Sequence, residues 1–365
     1  MTGEGRRATV VPPRLFGVDA ARGIALLGMF AAHTIFDSGE QLFDGRPAIL
    51  FATVAGVSLG LITGGASPPP RGERGTARLV VLIRGVVLVL LGLSLTTFLH
   101  PPIAVILDFY GFAFLLLIAV LFAARAVLGL LVAVITIAAP PIVDAVTEGT
   151  PFETLAEPAQ LFARWLFYGE YPMVIWLAFL LAGLLLARTD LRDRFTAGIA
   201  LVLGTLAAVL GYASTLVIPG ITAEAHSGST AEVVGSGGVA VAIIGGLSLL
   251  DSTVGDSMAS RPGERIARVL RFVLAPVAAA GAMALTLYVA HAIALTIIRA
   301  ADAEPERWQV PGPTFPALVV GSLVFATLWR RFVGVGPLEA GVRALTRFAL
   351  RTPSPPTAGR PRVAP

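Results

Sequence analysis

The sequence contains no cysteine, and only 14% of its 365 residues are charged. The absence of cysteine excludes disulfides and thiolate metal sites. A soluble domain carries roughly 25% charged residues. The chain therefore has too little polar surface to face water on all sides, and lipid is the remaining solvent for most of it.

In place of charge the sequence has long apolar runs, with 56% hydrophobic residues and a mean hydropathy of +0.82. A helix needs about 20 mostly apolar residues to cross a bilayer. Ten such runs predict an all-α, polytopic integral membrane protein. The predicted spans are residues 15–36, 47–64, 79–99, 102–123, 126–146, 171–188, 196–218, 234–250, 275–299 and 315–333.

The predicted transmembrane helical domain covers residues 15–350. Residues 1–14 are predicted to be a cytoplasmic N-terminal segment, and the Pro- and Arg-rich residues 351–365 a disordered cytoplasmic tail. Residues 262–274 are expected to form a short amphipathic helix at the cytoplasmic surface before the ninth span. The sequence shows no internal repeat.

The distribution of charge predicts the orientation of the spans. With a cytoplasmic N-terminus, the outer loops and the span ends that face them hold 13 acidic residues and four arginines, and the other 23 arginines are cytoplasmic. Because positive charge stays in the cytoplasm, both termini are predicted to lie there. The arginines flank apolar runs, so the expected partner is the bilayer of the cell membrane and not nucleic acid.

Ionisable residues inside the spans are the candidate functional groups, because each costs roughly 2.5–3.5 kcal/mol or more unless it has a partner or a purpose. His33 lies one turn before the outer end of the first span, with Asp37 four residues later on the same face. A histidine oriented by a carboxylate is a candidate general base. An interfacial anchor is the alternative interpretation of His33.

Three further residues are predicted to lie at the depth of His33. Asp108, in the fourth span, is either hydrogen-bonded to a neighbouring helix or a proton acceptor or substrate contact. Tyr288 and His291, three residues apart, share a face of the ninth span. Four polar residues at one level on three helices predict a common cavity open to the outside.

Candidate substrate-binding residues surround this predicted cavity. His226 lies in an outer loop that could fold over the site, although a solvated loop histidine is the simpler interpretation. Besides His226, the predicted substrate-binding set contains Asp37, Arg46 and Tyr110.

Asp19 and Arg22 share a face near the cytoplasmic end of the first span. They are either a structural ion pair or, in the functional interpretation, part of a site where Arg22 holds an anionic ligand such as a nucleotide phosphate. The G-x-x-x-G of Gly56 and Gly60 is attributed mainly to close helix packing. No Cys/His array, phosphate-binding loop or nucleophile elbow is present, so no metal is expected.

Four segments, in order, resemble a known family. They are the first-helix pattern R-x4-D-x-x-R-G-I-A from Arg14, residues 45–58, Tyr171-Pro172 followed by Trp176 and Gly183, and Gly336-Pro337-Leu338-Glu339 followed by Arg343. This combination is similar to the YeiB-like family of bacterial membrane proteins and its relatives, the heparan-α-glucosaminide N-acetyltransferases.

The resemblance implies transfer of an acyl group, acetyl in the first place, from cytoplasmic acyl-CoA to an extracytoplasmic sugar or envelope acceptor. His33 or His291 would then deprotonate the acceptor or carry the acyl group. Asp108 and Tyr288 would orient the base or stabilise the oxyanion. The CoA phosphates are expected at the cytoplasmic face near Asp19, Arg22 and Arg84.

Two other functions remain open at this point. In a proton-coupled small-molecule transporter, Asp108 and His291 would form a proton relay. The missing repeat and the lack of a Gly/Pro-broken helix pair argue against this. The chain could also be a non-catalytic partner in an envelope complex, and a homodimer is left open.

Overall fold

The computed structural model describes residues 14–35, 43–252, 262–301, 310 and 312–350, which form thirteen α-helices and no β-strand. The predicted all-α class is confirmed. The predicted segments 1–14 and 351–365 lie almost wholly outside the described residues. The helices are α1 (Phe16–Thr34), α2 (Arg46–Ile62), α3 (Arg74–Ser94), α4 (Leu107–Leu117), α5 (Arg125–Gly149), α6 (Glu157–Leu166), α7 (Met173–Ala187), α8 (Arg194–Val217), α9 (Thr230–Ser252), α10 (Pro262–Gly281), α11 (Ala284–Ala300), α12 (Thr314–Phe332) and α13 (Pro337–Ala349).

Helix α1 lies at the centre of the bundle, where it contacts α2, α9, α10, α11 and α12. Twelve of its 19 residues are buried. Because protein surrounds it, α1 can carry Asp19, Arg22 and His33, which a lipid-facing helix could hold only at high cost.

The outer helices show the opposite pattern. Within the described part of the chain, five helical segments are long and apolar enough to cross a membrane, and a bent pair, α10 with α11, makes a sixth. Large apolar side chains such as Leu130, Leu210 and Phe332 are more than 60% exposed on α5, α8 and α12. Apolar surface of this extent is typical of a protein in contact with lipid.

Two predicted spans differ from the helices in the structure. The fourth, residues 102–123, contains only the 11-residue α4, about 16 Å long at 1.5 Å per residue. The ninth, residues 275–299, is divided between α10 and α11, which are bent by 70° across Ala282 and Met283. The sequence predicts no Gly/Pro-broken helix pair, whereas the described residues contain one broken span, directly after Gly281.

The predicted amphipathic segment 262–274 is helical, but it is not a separate helix: it is the first part of α10, which continues without interruption to Gly281. Two helices were not predicted. Helix α6 lies in the segment expected to be an outer loop, and α13 follows the last predicted span.

Side chains from distant parts of the sequence bind the backbone at the α10–α11 break. Arg22 Nη1 donates to the Gly281 carbonyl at 3.1 Å. Glu339 accepts from the Leu285 and Thr286 N–H groups at 2.9 and 3.2 Å, and from the Thr286 hydroxyl at 2.6 Å. A cation at the end of α10 and a carboxylate at the start of α11 also complement the two helix dipoles.

Close backbone contacts through glycine set the positions of the inner helices. A Cβ atom on Gly23 would lie 2.1 Å from the Val277 carbonyl oxygen, and one on Gly281 would lie 1.9 Å from the Asp19 carbonyl oxygen. Gly56 approaches α7 in the same way, with the Leu180 carbonyl oxygen 2.0 Å from its would-be Cβ. The G-x-x-x-G face of α2 is therefore occupied within the chain.

We predict that Gly23→Ala lowers the free energy of unfolding by roughly 1–3 kcal/mol, because the added methyl group forces α1 and α10 apart. The matched control is Gly198→Ala on α8, where a Cβ would meet no atom within 4 Å. The free energy of unfolding of this control should be unchanged or should rise by up to about 1 kcal/mol, because alanine favours the helix more than glycine does. Thermal unfolding in detergent measures both; equal melting temperatures would contradict the close crossing.

Candidate functional site

A cavity of about 390 Å³ opens at the end of the bundle where α1 ends and α2 begins. Parts of α1, α2, α11 and the loops before α4, α7 and α9 form its wall. Its ionisable lining residues are His33, Asp44, Glu170, Tyr171, His226 and Tyr288.

Two histidines meet at the inner side of this cavity. His33 Nδ1 lies 3.0 Å from His291 Nε2, and the rings are nearly parallel, with 5.2 Å between their centroids. His33 lines the cavity, while His291 lies behind it and is 1% exposed. The predicted proximity of these two histidines is thus present in the structure.

The hydrogen bonds define the tautomers of a neutral pair. His291 Nδ1 lies 2.7 Å from the Tyr288 carbonyl oxygen, which can only accept, so this nitrogen carries the proton. His291 Nε2 is then an acceptor, and His33 Nδ1 must donate to it. The remaining nitrogen, His33 Nε2, keeps its lone pair and receives no hydrogen bond from a described residue.

Tyr288 joins α11 to the segment that precedes α4. Its hydroxyl accepts from the Ile106 N–H at 3.1 Å, and its ring meets that of His291 edge-on at 5.2 Å. Tyr288 and Ile106 both line the cavity. The tyrosine therefore holds the wall of the cavity and packs against the histidine pair.

His226 lies at the cavity between two carboxylates. Its Nε2 is 3.5 Å from Asp44 Oδ1, and its Nδ1 is 3.4 Å from Glu170 Oε2. Its backbone is left-handed, with φ of 58°. Glu232 holds this loop by accepting from the His226 and Gly228 N–H groups at 2.9 and 2.8 Å. The geometry corresponds to the alternative in which the His226 loop folds over the site, and not to the simpler interpretation of a solvated loop histidine.

Asp108 does not contact the histidine pair. It is buried in the first turn of α4, where Arg164 Nη2 and Trp165 Nε1 donate to its Oδ2 at 2.8 and 2.9 Å. Both partners belong to α6. The geometry corresponds to the hydrogen-bonded alternative for Asp108 rather than to a residue of the cavity wall.

Other predicted substrate-binding residues also lie away from the cavity lining. Arg46 Nε donates to the Tyr212 hydroxyl at 2.9 Å. The Tyr110 hydroxyl donates to the Ala48 carbonyl at 3.0 Å and so supports the wall from behind. Asp37 lies outside the described residues.

At the opposite end of α1, Asp19 is held by two arginines. Arg14 donates to both of its carboxylate oxygens, at 2.8 and 2.9 Å, and Arg22 donates to Oδ1 at 3.1 Å. Arg22 also donates to the Ser58 hydroxyl. The predicted Asp19–Arg22 ion pair is present, and its contacts are structural.

Arg84 lies near this ion pair on α3. Its Nε is buried and has no hydrogen-bond partner among the described residues, and the charges of Arg22 and Arg343 act on the Arg84 guanidinium. Three arginines from α1, α3 and α13 thus form a positive region. Among the described residues, no three or more His, Asp or Glu side chains are grouped to hold a metal ion.

Asp44, Glu170 and Tyr171 line the cavity but were not predicted from the sequence as site residues. A signal was available, because Asp44 immediately precedes the segment 45–58 and Glu170 immediately precedes Tyr171-Pro172. Both segments belong to the resemblance described above. Their acidic neighbours had been used only to orient the spans.

The described residues define an all-helical protein with membrane-type outer helices and a polar cavity containing a histidine pair. Residues 264–349 match the model of a family described as a protein of unknown function, DUF418. The match is consistent with YeiB-like membrane proteins and shows no relationship to acyltransferases. No curated protein matches the chain. The matched segment contains the helix break, His291 and Glu339.

The Asp108–Arg164 contact can be tested with a double-mutant cycle. Arg164→Met leaves the buried Asp108 carboxylate without its charged partner, a change that lowers the free energy of unfolding by at most about 3–5 kcal/mol. Because Arg164 is itself partly exposed, the loss should fall below that limit. In the Asp108→Asn background the same substitution should cost at least about 1 kcal/mol less. Unfolding in detergent measures the cycle, and additive effects would exclude an energetic coupling.

Proposed function

We propose that the protein is a multi-pass membrane acyltransferase. It would move an acetyl or other acyl group from cytoplasmic acyl-CoA to a sugar or envelope acceptor on the outer side of the cell membrane. In the arrangement we favour, about ten segments cross or enter the bilayer and both termini are cytoplasmic. The asymmetry of arginine and acidic residues supports this orientation.

The observation that carries the proposal is the histidine pair at the cavity. A general base needs an available lone pair within reach of substrate and a second group that fixes its tautomer. For the first requirement, His33 lines the cavity and its Nε2 keeps its lone pair; the His291 ring, bound to the Tyr288 carbonyl, meets the second. His33 is therefore the proposed base and His291 its positioning residue.

The reaction would proceed with His33 Nε2 taking the proton from the acceptor hydroxyl or amine. The acceptor oxygen or nitrogen then bonds to the thioester carbonyl carbon, the carbon–sulfur bond breaks, and the proton on His33 passes to the leaving CoA thiolate. Transfer through an acyl-histidine would use the same nitrogen as nucleophile. Tyr288, whose hydroxyl lies in the cavity wall, is suited to orient the substrate carbonyl.

The donor would enter from the other end of α1. The charges of Arg22 and Arg343 both act on Arg84, and guanidinium groups brought together in this way are suited to bind the phosphates of CoA. Asp19 already binds two arginines. Its proposed part is therefore to position Arg22 rather than to touch the donor.

We predict that His33→Ala lowers kcat/KM for acetyl-CoA turnover by roughly 10²–10⁴-fold, the usual contribution of a general base. His291→Ala should cause a smaller loss and change the acid limb of the pH profile, because the His33 tautomer is no longer fixed. Release of the CoA thiol by purified protein measures both.

The matched controls are Thr34→Ala on α1 and Thr296→Ala on α11. Each threonine hydroxyl donates to a carbonyl of its own helix, that of Phe30 or Ala292. The kcat/KM of both variants should stay within about threefold of that of the unsubstituted protein, a change well below the loss expected for a missing base. Turnover that survives in both histidine variants would remove the proposed mechanism.

The helix break favours one other function, a proton-coupled transporter. Transporters build binding sites at broken helices, and His33 with His291 could pass a proton. However, the ends of α10 and α11 at this break are bound by Arg22 and Glu339. Proton uptake by proteoliposomes without acyl-CoA, lost in His291→Ala, would favour the transporter over the acyltransferase.

A further inference from the structure

A second cavity, of about 380 Å³, lies beside the one that contains His33. The two cavities share the wall residues Ala104, Glu170 and Tyr171. The volume is within the range of small-molecule sites, about 300–1,000 Å³. Nothing described so far uses this space.

Irregular backbone builds the second cavity. The last turn of α3 continues as a π-helix, Leu95–Leu99, and His100 follows with a left-handed φ of 49°. Residues 100–106 then remain non-helical until α4 begins. Non-helical backbone at membrane depth is tolerated where it is buried in protein or lines a cavity. Short π-helices are frequent at functional sites.

Most of the lining of the second cavity is apolar, and Arg164, His100 and Glu170 are its charged or titratable members apart from Tyr171. Pro101, Ile103, Val105 and Phe109 supply the apolar wall. Arg164 also lines the cavity; its Nη2 donates to Asp108, while its other guanidinium nitrogens donate to no described residue. This combination fits a ligand with a hydrocarbon part and an anionic group.

The surroundings of the cavity indicate how such a ligand could reach it. Phe98, in the π-helix, is 83% exposed on the apolar outer surface, and His100 lies at the cavity two residues later. The Glu170 carboxylate, which would repel an anion, is directed to His226 at 3.4 Å. The second cavity therefore lies close to exposed apolar surface, and Arg164 is on its wall.

We propose that the second cavity binds the hydrocarbon chain of a lipid-linked acceptor, with the phosphate of that acceptor beside Arg164 and His100. The group that receives the acyl chain would then extend past Tyr171 toward His33. The role of this lipid as an acyl acceptor rests on the proposed acyltransferase function. The binding of the lipid in the second cavity does not depend on that function.

A displacement assay on purified full-length protein in detergent tests the proposal. Tritiated farnesyl phosphate is the probe, and unlabelled farnesyl phosphate, farnesol and inorganic phosphate are the competitors. Farnesyl phosphate should displace the probe at a concentration at least tenfold below that of farnesol and at least 100-fold below that of phosphate. Equal competition by phosphate would show a site for free anions, and equal competition by farnesol would show a site without anion recognition; either result overturns the proposal.

Two matched variants locate the binding. Ile103→Trp fills the second cavity and should weaken probe binding at least tenfold. Ile137→Trp makes the same type of substitution on the exposed surface of α5, and its affinity for the probe should stay within twofold of that of the unsubstituted protein. Equal binding by the two variants would place the probe elsewhere and overturn the proposal.

The assay contains no acyl-CoA, so its failure and that of the proposed function are distinguishable. Probe binding that is lost in Ile103→Trp supports the lipid site even if the protein releases no thiol from acetyl-CoA. Thiol release that depends on His33, without probe binding, would retain the acyltransferase and exclude the lipid-linked acceptor.

Discussion

The need to satisfy backbone groups where a helix is interrupted governs this structure. In lipid, each unpaired backbone N–H or C=O group costs roughly several kcal/mol. The 70° bend between α10 and α11 therefore requires hydrogen-bond partners from elsewhere in the chain. Arg22 binds the carbonyl at the end of α10, and Glu339 binds the first N–H groups of α11. The break is thus held by one charge of each sign, contributed by α1 and α13.

The candidate site follows from the same arrangement. Asp19 pairs with Arg22 at one end of α1, and His33 lies near the other end of the same helix. Because α11 starts at a fixed point beside α1, His291 is brought within hydrogen-bond distance of His33. The R-x4-D-x-x-R-G segment and the Gly336-Pro337-Leu338-Glu339 segment therefore have a common structural role at the break, in addition to any role in binding a donor.

The sequence was sufficient to predict the all-α class and the proximity of His33 and His291, because hydropathy and helical spacing are local signals. The partner of Asp108 was not predictable in this way, since α6 is a short amphipathic helix within an acidic segment. The helix break was missed for a different reason. Its ends are stabilised by Arg22 and Glu339, which are distant in sequence, and no proline lies between α10 and α11.

The central claim is that the caps on the break set the histidine pair, and ¹⁵N NMR of histidine-labelled protein tests it most directly. The chain has four histidines, so single substitutions assign every signal. His33 and His291 should both show Nδ1-protonated rings, and Glu339→Ala should abolish this pattern at His33, whereas Glu264→Ala at the far end of α10 should preserve it. An unchanged His33 signal in Glu339→Ala would contradict the account.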